Sequence, residues 1–113
     1  MIVRKNEAKE FKNSNNCVAY EYLLNDEDIN VALIKINGRY PEKGFVLNEI
    51  SKEICFITKG GGKVVVEGKE IELNEGDAIL ILPNKKYFFE GNLEIVVSCT
   101  PTWKIEQHKL VEE

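Results

Sequence analysis

A chain of 113 residues, 43% hydrophobic and 30% charged, fits one globular domain with a single core and is too short for two. Its net charge of -4 is spread over mixed signs with no basic stripe, which excludes nucleic acid as a partner, and no apolar run has the length of a membrane span or the setting of a signal peptide, which points to the cytoplasm and away from the membrane. Cys17, Cys55 and Cys99 are too widely spaced for a disulfide framework or a zinc knuckle and read as free thiols in a reducing compartment.

Residues 1–16 are polar and weakly patterned apart from Ile2 and Val3, and read as a leading strand or an ordered arm. The first clear strand is 18–24, with Val18, Tyr20, Tyr22 and Leu24 on one face. Asn25, Asp26, Glu27 and Asp28 form a loop, since short acidic side chains compete for local backbone hydrogen bonds; the spacing and flanking helices of a calcium-binding loop are missing. Residues 30–37 are a strand apolar on both faces, and 38–44, punctuated by Gly38, Pro41 and Gly44, are a loop that carries Arg39 and Tyr40.

From Glu53 onward the pattern sharpens into short apolar runs cut by glycines. Glu53, Cys55 and Ile57 share one face of a strand, with Ile54, Phe56 and Thr58 on the other. Gly60, Gly61 and Gly62 predict a chain reversal, after which Val64, Val65 and Val66 pair back. Glu67-Gly68 is a tight turn into the alternating strand 70–73, which shows its glutamates to water. A second turn at Gly76-Asp77 leads to 78–82, expected to be covered on both faces, and Pro83 ends that run. Tyr87, Phe88 and Phe89 form a strand that stops at Gly91, and Leu93, Ile95, Val97 and Cys99 face one way along a closing strand. Residues 104–113 are a polar tail with room for one helical turn, in which His108, the single histidine, is expected to be solvated. Trp103, the single tryptophan, either lids a pocket or docks this tail.

The ordered series Glu53, Gly60, Gly62, Glu67-Gly68, Gly76-Asp77 and Pro83 resembles the cupin family over residues 40–101. The resemblance implies an all-β antiparallel cupin-type β-barrel, the double-stranded β-helix or jelly roll, with little helix. Residues 1–113 then make one cupin domain, with a core at 40–101, N-terminal strands in 1–39 and a C-terminal tail at 102–113. In cupins that bind a metal, two histidines shortly precede the glutamate and another follows the proline. Here those positions read Val46 and Asn48, or Leu47 and Glu49 with a shorter spacing, and Tyr87. One carboxylate, one amide and one phenol make a poor transition-metal site, so the reading is a cupin with no metal and no cofactor.

What remains is a pocket for a small polar metabolite, a carbohydrate or an organic acid, lined by Asn48, Cys55, Arg39, Tyr40 and Phe89, with Glu53 and Tyr87 as the proton-handling pair of an isomerase, epimerase or lyase. Asn48 and Tyr87 are the expected partners of a buried Glu53 carboxylate. A loop arginine such as Arg39 can fork onto a carboxylate or phosphate. Two other readings stand beside it. One is a metalloenzyme with an altered set of Glu53, Tyr87, Asn48 or Glu49 and His108 around a divalent metal, and the other is a non-catalytic oligomeric binding or sensor module. In each case the strands apolar on both faces imply a homodimer.

Overall fold

The computed structural model describes residues 1–112. It is an antiparallel sheet of nine strands curled around one core, and the helical content is two 3-10 turns, Lys5–Glu7 and Ile105–Gln107. β1 (Lys9–Ser14) and β2 (Cys17–Tyr22) form a hairpin, and β2 pairs with β3 (Asn30–Tyr40). β4 (Phe45–Asn48) leads to β5 (Lys52–Val66), followed by β6 (Lys69–Leu73), β7 (Ala78–Ile81), β8 (Tyr87–Thr100) and β9 (His108–Val111).

Two long strands organise the barrel. β5 pairs with β8 along its whole length, and its other edge is shared, first by β7 and then by β6. β8 carries β3 on its far edge, with Val46 of β4 opposite Tyr87. The expected reversal at residues 60–62 and strand end at Gly91 are therefore corrected: both glycine clusters lie inside continuous strands. Gly38, Gly91 and Gly62 stand side by side across β3, β8 and β5. A Cβ on Gly62 would meet Glu90 O at 2.2 Å, and one on Gly91 would meet Gly61 O at 2.5 Å. The glycines let backbones close in where the sheet coils, so one strand can serve two walls of a barrel. The Glu67-Gly68 turn forms as expected, with φ of +50° and +81°.

Alternation sorts the rest. Cys55, Ile57, Val64, Leu93, Ile95, Val97 and Cys99 face inward and are buried. On β2 the inward face is Cys17 and Ala19, with Tyr20 and Tyr22 turned outward, so small side chains rather than large ones line that wall. β7 is covered on one face only: Leu80 is 55% exposed, beside Ile54 at 53% and Phe56 at 44%.

The C-terminal tail is part of the barrel rather than a solvated extension. β9 pairs antiparallel with β4, setting His108 opposite Asn48. Gln107, buried, clasps it in place: its Oε1 accepts from the backbone N–H groups of Ile50 and Ser51 at 2.8 and 2.7 Å, and its Nε2 donates to Ser51 Oγ at 2.7 Å. Ser51 Oγ in turn donates to Pro101 O at 2.7 Å.

Candidate ligand site

Small residues on adjacent strands, Cys17, Ala19, Ala32, Cys55 and Cys99, leave a cavity of about 70 Å³ inside the barrel, counted as space open to water centres. That is room for about five waters, or for a small metabolite in their place. Ile34, Ile36, Phe89, Ile95 and Val97 form its apolar walls, and half-buried Asn13, Glu21 and Asn30 also line it. Of the residues expected at the site, Glu53, Cys55, Tyr40, Tyr87 and Phe89 all line this cavity.

Strand register builds the Glu53 wall. Glu53 on β5 lies opposite Cys99 on β8, and Cys99 lies opposite Asn30 on β3, so three inward-facing polar groups form one row. Glu53 is 6% exposed; Cys99 Sγ donates to its Oε2 at 3.6 Å, and its Oε1 has no hydrogen-bond partner. Burial raises its pKa above the usual carboxylate range, offset in part by the nearby Tyr87 hydroxyl and Cys99 thiol. The neighbouring Tyr87 and Cys55 are also pushed up, first by burial and next by the Glu53 carboxyl beside them. The phenol of Tyr87 and the thiol of Cys55 therefore keep their protons at neutral pH. Tyr87 is held edge-on to Phe89, with ring centres 5.7 Å apart, and that packing fixes the angle at which its hydroxyl meets the cavity.

A second polar group stands on another part of the wall. Tyr40 OH and His108 Nε2 are 2.8 Å apart, and His108 Nδ1 and Trp103 Nε1 both contact Asn48 Oδ1, at 2.8 and 3.0 Å. Burial lowers the His108 pKa to about 4, so the ring is neutral at physiological pH. Burial raises that of Tyr40, with smaller contributions from Cys17 and Glu53.

Two expected ligand contacts move. Arg39 does not reach the cavity: its guanidinium donates to Pro41 O at 2.7 Å and lies 3.7 Å over the Phe88 ring. Asn48 is buried behind the cavity wall as the anchor of Trp103 and His108, and Glu53 meets Cys99, with the expected Tyr87 hydroxyl beside it, in place of Asn48. His108, expected in solvent, lines the cavity with Trp103. No sequence signal marks it, because a lone imidazole in a polar tail acquires its place only through the pairing of β9 with β4. That Cys99 shares a face with Val97 was legible from their alternation; its register with Glu53 was not.

The donor set does not fit the metal of metal-binding cupins. Both nitrogens of His108 are engaged by Tyr40 and Asn48, and among the described residues no three His, Cys, Asp or Glu side chains converge as ligands.

A curled antiparallel barrel with one polar-studded interior cavity is the architecture of a cupin ligand-binding domain. The chain belongs to the family described as AraC-like ligand binding domain, which matches residues 30–91. No curated protein matches it in sequence. Among solved structures it is similar to a tyrosine-to-phenylalanine variant of Streptomyces PAC13 with uridine, at 18% identity and a TM-score of 0.90 over 99% of this chain and 90% of that one. Pac13 is described as a nucleoside dehydratase. KdgF from Halomonas sp. superposes with a TM-score of 0.72 at 15% identity, over 92% of this chain and 96% of that one. An RmlC-like cupin from Shewanella frigidimarina gives 0.73 at 12% identity, over 89% and 90%. No helix among the described residues is long and apolar enough to cross a membrane.

Proposed function

We propose that this protein binds a small polar metabolite in its barrel cavity without a transition metal, and that Glu53 and Tyr87 are the pair able to move protons on it. The observation that carries this reading is Glu53 Oε1, a carboxyl oxygen buried without a partner on a side chain that lines the cavity. An orphaned buried polar atom costs about 1–3 kcal/mol, and a bound hydroxyl would recover much of it.

The same geometry suits enolisation chemistry. A carboxyl whose pKa is raised by burial lies nearer the operating pH, where one group can both take and return a proton. Glu53 as carboxylate would remove a proton from carbon α to a carbonyl. Tyr87, still protonated, would donate a hydrogen bond to the oxygen as charge gathers on it, and the Glu53 proton would then return to the neighbouring carbon. That sequence is an isomerisation; loss of a β-hydroxyl from the same enolate, leaving as water with the proton that Glu53 returns to it, makes it a lyase. The likeness to a nucleoside dehydratase supports this by analogy of fold only. The cytoplasm, where Cys17, Cys55 and Cys99 stay reduced, is the compartment that suits three buried free thiols.

A thermal-shift and ligand-observed NMR screen of carbohydrates and organic acids tests the binding reading, with Tyr87→Phe and Glu53→Gln as controls. Hits weakened by both variants are expected; hits indifferent to both would end it.

A specific feature also supports self-association as part of this function. On the outer face, Ala78, Phe56, Val96, Leu33 and Tyr20 form one row across five strands, and Leu80, Ile54, Ser98, Val31 and Tyr22 form the next. The row of Lys59, Glu94 and Lys35 borders them with alternating charge. A second copy related by a two-fold axis would cover the apolar rows and set lysine against glutamate at the rim.

A further inference from the structure

We infer that the cavity selects a ligand that donates hydrogen bonds through hydroxyl or amide N–H groups, and turns away carboxylates and phosphates. This rests on the binding reading above and narrows it, because a carbohydrate fits and an organic acid does not.

The first support is the charge of the wall. No lysine or arginine lines the cavity, whereas two carboxyl groups, Glu21 and Glu53, do. Arg39, carried by the end of β3 next to Tyr40, is committed to Pro41 O and the Phe88 ring. An anion entering would lose its hydration with no cation to replace it.

The second support is the position of one proton, which the network fixes by elimination. An indole N–H can only donate, so the atom of Asn48 it meets is the amide oxygen. That oxygen can only accept, so His108 Nδ1 carries the proton of the neutral ring. Nε2 is then a bare lone pair, and the Tyr40 hydroxyl donates to it. With its proton turned toward His108, the Tyr40 oxygen presents only lone pairs to the cavity. A ligand group meeting Tyr40 must therefore bring a hydrogen. The group meeting Glu53 faces a carboxyl that accepts when ionised and can donate when neutral, and a hydroxyl satisfies it in either state. A carboxylate or phosphate dianion, which only accepts, meets lone pairs at Tyr40 and a carboxyl at Glu53, and finds neutral donors such as the Tyr87 hydroxyl where it needs a cation.

The test is a ligand-observed NMR screen of wild-type protein against a fragment library with equal shares of uncharged, anionic and cationic members. Ala32→Leu, which fills the cavity, identifies the hits that bind there. Expected cavity hits are hydrogen-bond donors that carry no negative charge, with lactamide or ribose binding about tenfold or more tighter than lactate or ribose 5-phosphate. Anions binding the cavity as tightly would overturn the inference while leaving the binding reading intact; an empty hit list for the cavity overturns both. A second measurement needs no ligand: ¹⁵N NMR of His108 is expected to show the Nδ1–H form, and the Nε2–H form would reverse the polarity assigned to Tyr40. In His108→Leu the Tyr40 proton becomes free for a ligand, so acceptor-only probes such as acetone should gain several-fold relative to donors. An unchanged rank order would also overturn the assignment.

Discussion

His108 stands 2.8 Å from the Tyr40 hydroxyl across 68 residues of sequence, joining the last strand of the chain to the end of β3 at the cavity wall. The contact makes the C-terminal strand a functional part of the barrel. It also sets a titration. The pKa of His108 is lowered from 6.5 to about 4, so between those values the unfolded chain binds a proton that the folded chain refuses. The stabilisation is complete above pH 6.5 and is lost as pH falls to about 4, amounting to at most ~3 kcal/mol. Site-specific NMR titration of the His108 ring is expected to give a midpoint near 4. A midpoint at the ordinary histidine value would mean that the ring is solvated.

Glu53 acts in the opposite direction. Its pKa is raised, so its stabilising effect is present below the unfolded value of 4.5 and is lost as pH rises through the folded value. Glu53→Gln keeps the shape and removes the charge. Urea unfolding should show the variant more stable than wild type at pH 8, by about 1–3 kcal/mol, with the gap closing near pH 4. Equal curves at both pH values would show that the carboxyl is effectively solvated.

The Gln107 clasp should hold β9. Gln107→Ala strands the buried Ser51 amide and its Ile50 neighbour, costing about 2–4 kcal/mol. Hydrogen exchange at the backbone of β4 and β9 should quicken far more than in β3 or β8. Unchanged exchange in β9 would show that its pairing with β4 suffices alone.

Metal content separates the proposed chemistry from that of metal-binding cupins. Protein purified without a histidine tag or added metal should contain well below one equivalent of any transition metal by inductively coupled plasma mass spectrometry. One equivalent, lost in Glu53→Ala, would instead make Glu53 a ligand.

The outer apolar rows should set the oligomeric state. Sedimentation equilibrium is expected to show a dimer at micromolar concentration, with Phe56→Lys giving a folded monomer, because a buried unpaired ammonium is costly. A monomeric wild-type protein would leave Ile54, Phe56 and Leu80 with another role.

Much of the fold was legible because strands announce themselves locally. The alternation of Glu53, Cys55 and Ile57, the Glu67-Gly68 turn and the inward run from Leu93 to Cys99 depend on nearest neighbours and a period of two, and all stand in the structure. The same local reading misjudged residues 60–62 and Gly91, because a glycine that permits a turn also permits close approach between strands, and only the partner strand decides which.

By itself, then, the sequence determined the class of fold, through its resemblance to cupins, and which side chains share a face, Glu53 with Cys55 and Tyr87 with Phe89, since turn chemistry and side-chain period are local. The tertiary structure alone decided who meets whom: that Cys99 rather than Asn48 partners Glu53, that Arg39 turns away, and that His108 closes the wall. Such pairings depend on strand register and on the return of β9 to β4, long-range choices fixed by the packing of the whole barrel and written in no single stretch of chain.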